Sequence, residues 1–160
     1  MRIVSFAGPL KRMVDTLLDA AGLPPDEIYE RVYGSRKEEP IPQLNGVSSR
    51  FLQQTIGTEW GRHAVSKDFW LLTTRAAVEK TRADGHPVVI DDVRFPNEFD
   101  MIREMGGKLI RIHRPSALEA PVNPAYESLL EGNTFDAVIE NTGTMAELQR
   151  GAVATVLGFG

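Results

Sequence analysis

Asp91 and Asp92 follow directly on the apolar residues Val88, Val89 and Ile90, and Arg94 stands two positions further on. Carboxylates at a strand end suit hydrated magnesium, which takes one or two acidic ligands and shares the rest of its shell with water and phosphate. A planar guanidinium grips phosphate through two parallel hydrogen bonds. The same acids would equally fit a solvated turn, or a contact to a sugar or base. Arg94 would equally fit an ion pair with Asp92 or Glu98. Side chains alternate along a strand, so one aspartate is expected to face a crevice at the carboxyl edge of a sheet and the other to turn away.

Other candidates are spread along the chain. GTEWGRH reads as a glycine-flanked loop in which Gly57 and Gly61 are expected to let backbone approach a ligand, with Glu59, Trp60 and Arg62 as substrate contacts and Arg62 as a second phosphate clamp. Trp60 would pack under a base or simply anchor the segment to the core. Lys11 and Arg12 come just after Gly8-Pro9, at the start of a helix, where anions are attracted. Four residues cannot wrap a triphosphate, so a solvated turn or a substrate-side contact is the competing expectation for Lys11. Arg111 and Arg114 flank His113 at a strand end, and Arg114 would either meet charge on a transferred phosphate or form a surface ion pair. His113 has no neighbouring nucleophile and is given no acid–base role. Arg36 and Lys37 would close over phosphates or belong to a solvated charge run with Glu38 and Glu39.

The elements that must position these groups follow from patterning. Residues 2–7 read as a short buried strand, and Leu10, Met13, Val14, Leu17, Leu18 and Ala21 recur at helical spacing up to Gly22. Pro24-Pro25 opens a second helix. The charged, proline-containing stretch 34–46 is expected to be a mobile surface loop or lid. Ser48 is an expected N-cap, and Ser66 or Asp68 starts the longest helix, with Phe69, Leu72, Thr73, Ala76 and Ala77 pointing inward. Strand 88–91, helix 97–105 capped by Asn97, and strand 108–112 form a strand–helix–strand unit. Residues 115–134 look irregular, 135–140 is a last strand, and Thr144 with Glu147 makes a capping box for a closing helix. Alternating strands and helices argue for an α/β fold: a three-layer α/β/α sandwich around a small, mainly parallel sheet.

Composition narrows the function classes. A chain of 160 residues suits one domain, 1–160. A net charge of −4 supplies no broad basic field, so stable nucleic-acid binding is not expected. The absence of cysteine rules out disulfides, thiolate metal sites and thiol nucleophiles. Three scattered histidines make no zinc set. No apolar run approaches the roughly 20 residues of a membrane span, and the first residues do not resemble a signal peptide, so a cytoplasmic, soluble protein is expected.

Six segments in series carry a family likeness: FAGPLKRM (6–13), LQQTIGTEWGR (52–62), DFW (68–70), VVIDDVRFPNE (88–98), IRIHRP (110–115) and DAVIENTGTMAEL (136–148). Together they resemble the deoxynucleoside monophosphate kinases of bacteriophages, members of the P-loop kinases. The resemblance implies ATP-dependent phosphoryl transfer to a deoxynucleoside monophosphate with magnesium. It favours Asp91 and Asp92 as Walker B-like metal ligands and Arg94 as a substrate phosphate contact. Asn97 joins them as a substrate-side candidate. The turn Asn141-Thr142-Gly143 would read the adenine of ATP through Asn141 and Gly143, although Asn-Thr-Gly also suits a plain turn before a capped helix. Family members place a strand, a G-x-x-x-x-G-K-[ST] loop and a helix before the FAGPLK segment; here FAGPLK starts at residue 6 and the loop sequence does not occur. A missing first strand would leave a closed-up sheet, a strand supplied by a second copy in a homodimer, or a start codon inside a longer gene. A non-catalytic nucleotide-binding or interaction protein is the alternative function.

Overall fold

A computed structural model of the chain describes residues 1–115 and 132–159. The irregular stretch expected over 115–134 falls almost wholly outside them. The chain divides into two compact units, Met1–Asp92 and Val93–Gly160.

The first unit runs β1 (Arg2–Val4), α1 (Gly8–Ala20), α2 (Pro25–Val32), β2 (Pro40–Ile41), β3 (Val47–Ser48), α3 (Ser49–Gln54), a π-helical segment (Thr55–Val65), α4 (Phe69–Ala83) and β4 (Val88–Ile90). β1 and β4 lie parallel, with Arg2, Ile3 and Val4 opposite Val88, Val89 and Ile90. α1 buries Leu10, Val14 and Leu18, the i, i+4, i+8 positions of one face. It stops where Gly22 takes φ +83°, a left-handed conformation that glycine enters at no steric cost, and Leu23 N–H closes back on Leu18 O at 3.1 Å. Val14, Leu18, Leu23, Ile28, Val32 and Ile41 form the core of this unit. Ile41 comes from the 34–46 stretch, which supplies β2 of the short antiparallel pair β2–β3. Ser48 caps α3, accepting from Phe51 N–H at 3.2 Å as its residue type predicts.

Three expectations change here. GTEWGRH is not a loop but part of the π-helical segment that continues α3. Its glycines admit the Trp70 indole: a Cβ on Gly61 would lie 2.4 Å from Trp70 Nε1, and that nitrogen donates to Gly57 O at 2.8 Å. With Trp70 seated there, α4 is turned so that Trp70, Thr74 and Val78 face inward, while Leu72, Ala76 and Ala77 are exposed. The strands are less buried than their apolar residues suggest: β1 covers only Arg2–Val4 of the expected 2–7 and leaves Ile3 exposed, and β4 is half-buried with Val89 exposed.

The second unit runs α5 (Pro96–Glu104), β5 (Ile110–His113), β6 (Ala137–Glu140) and α6 (Met145–Leu157). β5 and β6 are parallel, pairing from Ile110–Ala137 to His113–Glu140. Phe99, Met101, Ile102, Leu109 and Ile139 are buried, and Phe135 meets Phe99 edge-on at 5.6 Å. α5 starts one residue earlier than Asn97 implies. Pro96 fills the first position, and the Glu98 carboxylate accepts from Arg94 and Phe95 N–H at 2.8 and 3.1 Å. The expected box at Thr144 and Glu147 forms, with Glu147 N–H donating to Thr144 Oγ1 at 3.3 Å and Thr144 N–H to Glu147 Oε2 at 2.7 Å. The observed class is α/β with small parallel sheets.

Candidate functional site

The two aspartates after β4 divide their roles. Asp92 accepts from Phe6 N–H through Oδ1 and from Ala7 N–H through Oδ2, both at 2.9 Å. Ala7 is the N-cap of α1 and has no capping side chain of its own, so the carboxylate reaches across from β4 to hold the first turn. Both of its oxygens are engaged. Asp91 is exposed and makes no hydrogen bond or ion pair among the described residues. Its open carboxylate at a strand end fits the one or two acidic ligands that magnesium takes. Among the described residues no group of three or more histidines and acids converges.

The π-helical segment adjoins the start of α1: a Cβ on Gly57 would meet Leu10 Cδ2 at 3.3 Å. Trp60 packs edge-on against Phe69 at 5.4 Å and stays partly exposed, so it anchors the segment while keeping an open face. Glu59 pairs with His63 at 3.2 Å, and Arg62 is half-buried beside them. On α1, Lys11 Nζ lies 5.5 Å from the centre of the Tyr33 ring. The Tyr33 hydroxyl donates to Asp15 Oδ2 at 2.6 Å, and burial first, then this bond and the Asp15 charge, push its pKa up to about 12. Arg36 is ion-paired, to Glu39 at 2.7 Å and Glu27 at 3.7 Å. Arg50, which its residue type did not single out, sits in the first turn of α3, where its N–H donates to Lys37 O at 2.9 Å and its guanidinium meets Glu38 at 3.1 Å.

In the second unit, Arg94 is held through its backbone by Glu98, and its guanidinium, on an exposed residue, makes no hydrogen bond or ion pair among the described residues. Asn97 is half-buried in the first turn of α5. The carboxyl ends of β5 and β6 are tied twice. His113 Nδ1 meets Glu140 Oε2 at 2.8 Å, and Asn141 N–H donates to His113 O at 2.7 Å. This places Asn141, Thr142 and Gly143 between two clefts of about 420 and 510 Å³, the larger also lined by Arg114. A Cβ on Gly143 would lie 2.3 Å from Glu147 Oε2, so glycine there leaves room for the capping carboxylate. Arg114 thus shares one cleft with Asn141 and Gly143, which come much later in the sequence.

In the first unit Asp92 is tied to the start of α1, which carries Lys11, and Gly57 of the π-helical segment adjoins Leu10 of the same helix. A family model described as deoxynucleotide monophosphate kinase matches residues 28–151, a stretch running through both units. The chain belongs to the deoxynucleotide monophosphate kinase family. It is 31% identical to a putative deoxynucleotide monophosphate kinase of Acanthamoeba polyphaga mimivirus over 163 residues, covering 95% of this chain and 81% of that protein. It is 36% identical to a deoxynucleoside-5′-monophosphate kinase of Escherichia phage T5 over 75 residues, covering 47% of this chain and 29% of the phage protein. The family assignment agrees with the likeness carried by the six sequence segments. Among the described residues no helix of this kinase-family chain is long and apolar enough to cross a membrane.

Proposed function

We propose that this protein transfers a phosphoryl group from ATP to the 5′-phosphate of a deoxynucleoside monophosphate, giving the diphosphate and ADP. The observation that carries the reading is the family match over residues 28–151. Phosphoryl transfer asks a protein for in-line positioning and charge neutralisation more than for covalent chemistry. The acceptor phosphate is already anionic, so no general base is required. Magnesium supplies charge neutralisation on the donor phosphates, and the open carboxylate of Asp91 is the side chain that would hold it. Asp92 acts one step back, fixing the turn from which α1 and Lys11 start. In the first unit Arg62 is a phosphate contact, with Glu59 and Trp60 as nucleoside contacts; in the second unit Arg94 is a phosphate contact and Asn97 a nucleoside contact. Arg114 meets charge on the transferred group, and Asn141 and Gly143 receive the adenine of the donor. This activity takes place in the cytoplasm.

The test incubates the protein with Mg-ATP and each of the four deoxynucleoside monophosphates, separating products by ion-exchange chromatography. Equal amounts of a deoxynucleoside diphosphate and ADP support the reading. ADP without a diphosphate, or tight monophosphate binding with no product, removes it.

A further inference from the structure

The cleft of about 510 Å³ in the second unit is lined by Arg114 and Pro115, which follow β5, and by Asn141, Thr142, Gly143 and Met145, which follow β6. His113 and Glu140 are the last register pair of that sheet, each one residue before the lining begins. A backbone bond, Asn141 N–H to His113 O at 2.7 Å, ties the strand ends at one point. His113 Nδ1 donates to Glu140 Oε2 at 2.8 Å and ties them at a second. A carboxylate only accepts, so it keeps the imidazole proton on Nδ1 and fixes the direction of the ring. Two points of attachment stop the strand ends from turning about one another, which a single bond allows. The far end of the Asn141–Gly143 turn is fixed separately by Glu147, which accepts from Thr144 N–H and Oγ1–H at 2.7 and 2.8 Å. The His113–Glu140 bond does little for the fold itself. The two side chains are 38% and 59% exposed, and exposed pairs add little to folding stability.

We propose that His113 and Glu140 are positioning residues whose bond sets the spacing between Arg114 and the Asn141–Gly143 turn, and with it the fit of the cleft to the donor nucleotide's adenine. The assignment rests on the reading above that Asn141 and Gly143 receive that base. Neither side chain takes part in the transfer. Losing their bond removes no contact to the nucleotide. It lets the strand ends populate spacings that the base does not fit, and apparent affinity falls with the fraction of protein left in the fitting one. The strength of a partly exposed pair bounds that fall at about three- to fivefold.

Steady-state rates of the whole protein test this, with Mg-ATP varied at saturating deoxynucleoside monophosphate and the reverse. His113→Ala and Glu140→Ala should each raise the Mg-ATP KM about three- to fivefold, with kcat and the monophosphate KM within about twofold of wild type. The double variant should be no worse than either single one, because both remove the same bond. His113→Asn, whose amide nitrogen stands where Nδ1 does, should recover most of the loss. All of these variants should melt close to wild type, whereas a merely structural pair would lower the melting point without separating the two substrates. A further rise in the double variant, or a rise shared equally by both substrates, overturns the proposal. A Mg-ATP KM unmoved in His113→Ala but raised in Asn141→Ala overturns it and keeps the donor-site reading. A KM unmoved in both removes that reading and the proposal together. Wild-type protein without turnover removes the kinase reading as well.

Discussion

Replacing Asp92 should cost stability, and replacing its neighbour Asp91 should not. Asp92 accepts two backbone N–H bonds at 2.9 Å, from Phe6 and Ala7, in a partly buried position. Bonds to a charged acceptor contribute about 1.5–3 kcal/mol each, and partial exposure places these at the lower end, so Asp92→Ala should lose about 3 kcal/mol. Asp92→Asn keeps one accepting oxygen but turns an NH₂ toward the other backbone donor, so about 2 kcal/mol should go. Asp91 is exposed and partnerless among the described residues, so Asp91→Asn should stay within about 0.5 kcal/mol of wild type. Both tryptophans, Trp60 and Trp70, lie in the same unit as these acids, so urea unfolding followed by tryptophan fluorescence reads the relevant transition directly. Equal midpoints for Asp92→Ala and wild type, at unchanged slope, would refute the claim that this carboxylate holds the start of α1.

Arg94→Ala should weaken monophosphate binding about tenfold in calorimetry while leaving the melting temperature unchanged, since Glu98 holds the Arg94 backbone rather than its side chain. Gly61→Ala forces a methyl to within 2.4 Å of Trp70 Nε1. Overpacking of that kind costs about 1–3 kcal/mol, which urea unfolding should register together with altered Trp70 emission. The Asp136 carboxyl sits below the usual carboxylate range, chiefly because it accepts from Leu109 N–H at 2.8 Å and then because of Arg103. A depressed folded-state value stabilises above the unfolded pKa of about 4 and loses that contribution as the pH falls through the folded one. Melting followed by circular dichroism should therefore drop more steeply below about pH 4 in wild type than in Asp136→Asn, and parallel curves would show that this carboxylate does not carry the acid sensitivity.

Local chemistry was the legible part of the sequence. Ser48, Gly22 and the Thr144–Glu147 box act through bonds within a few residues of themselves, so residue type and spacing identify them. The parallel pairing of β1 with β4 was legible too, because helices between apolar strands provide the long crossover that parallel strands need. What the chain hid were contacts decided across long separations. Nothing local says that Gly57 and Gly61 receive an indole from α4 rather than a ligand. The same contact sets the rotation of α4, which spacing alone assigned to the wrong face because Leu72, Ala76 and Ala77 offer an equally apolar stripe. Asp91 and Asp92 are chemically identical in sequence; only the position of Phe6 and Ala7, more than 80 residues earlier, separates an engaged carboxylate from an open one.

The most direct measurement is the turnover of Asp91→Asn beside wild type, with saturating Mg-ATP and deoxynucleoside monophosphate, read as the diphosphate β-resonance in a phosphorus NMR time course. The account predicts steady diphosphate formation by wild type and a fall of about a hundredfold or more in Asp91→Asn, at unchanged stability and monophosphate affinity. Wild-type rates in Asp91→Asn would contradict it, because the open carboxylate after β4 would then have no part in the transfer.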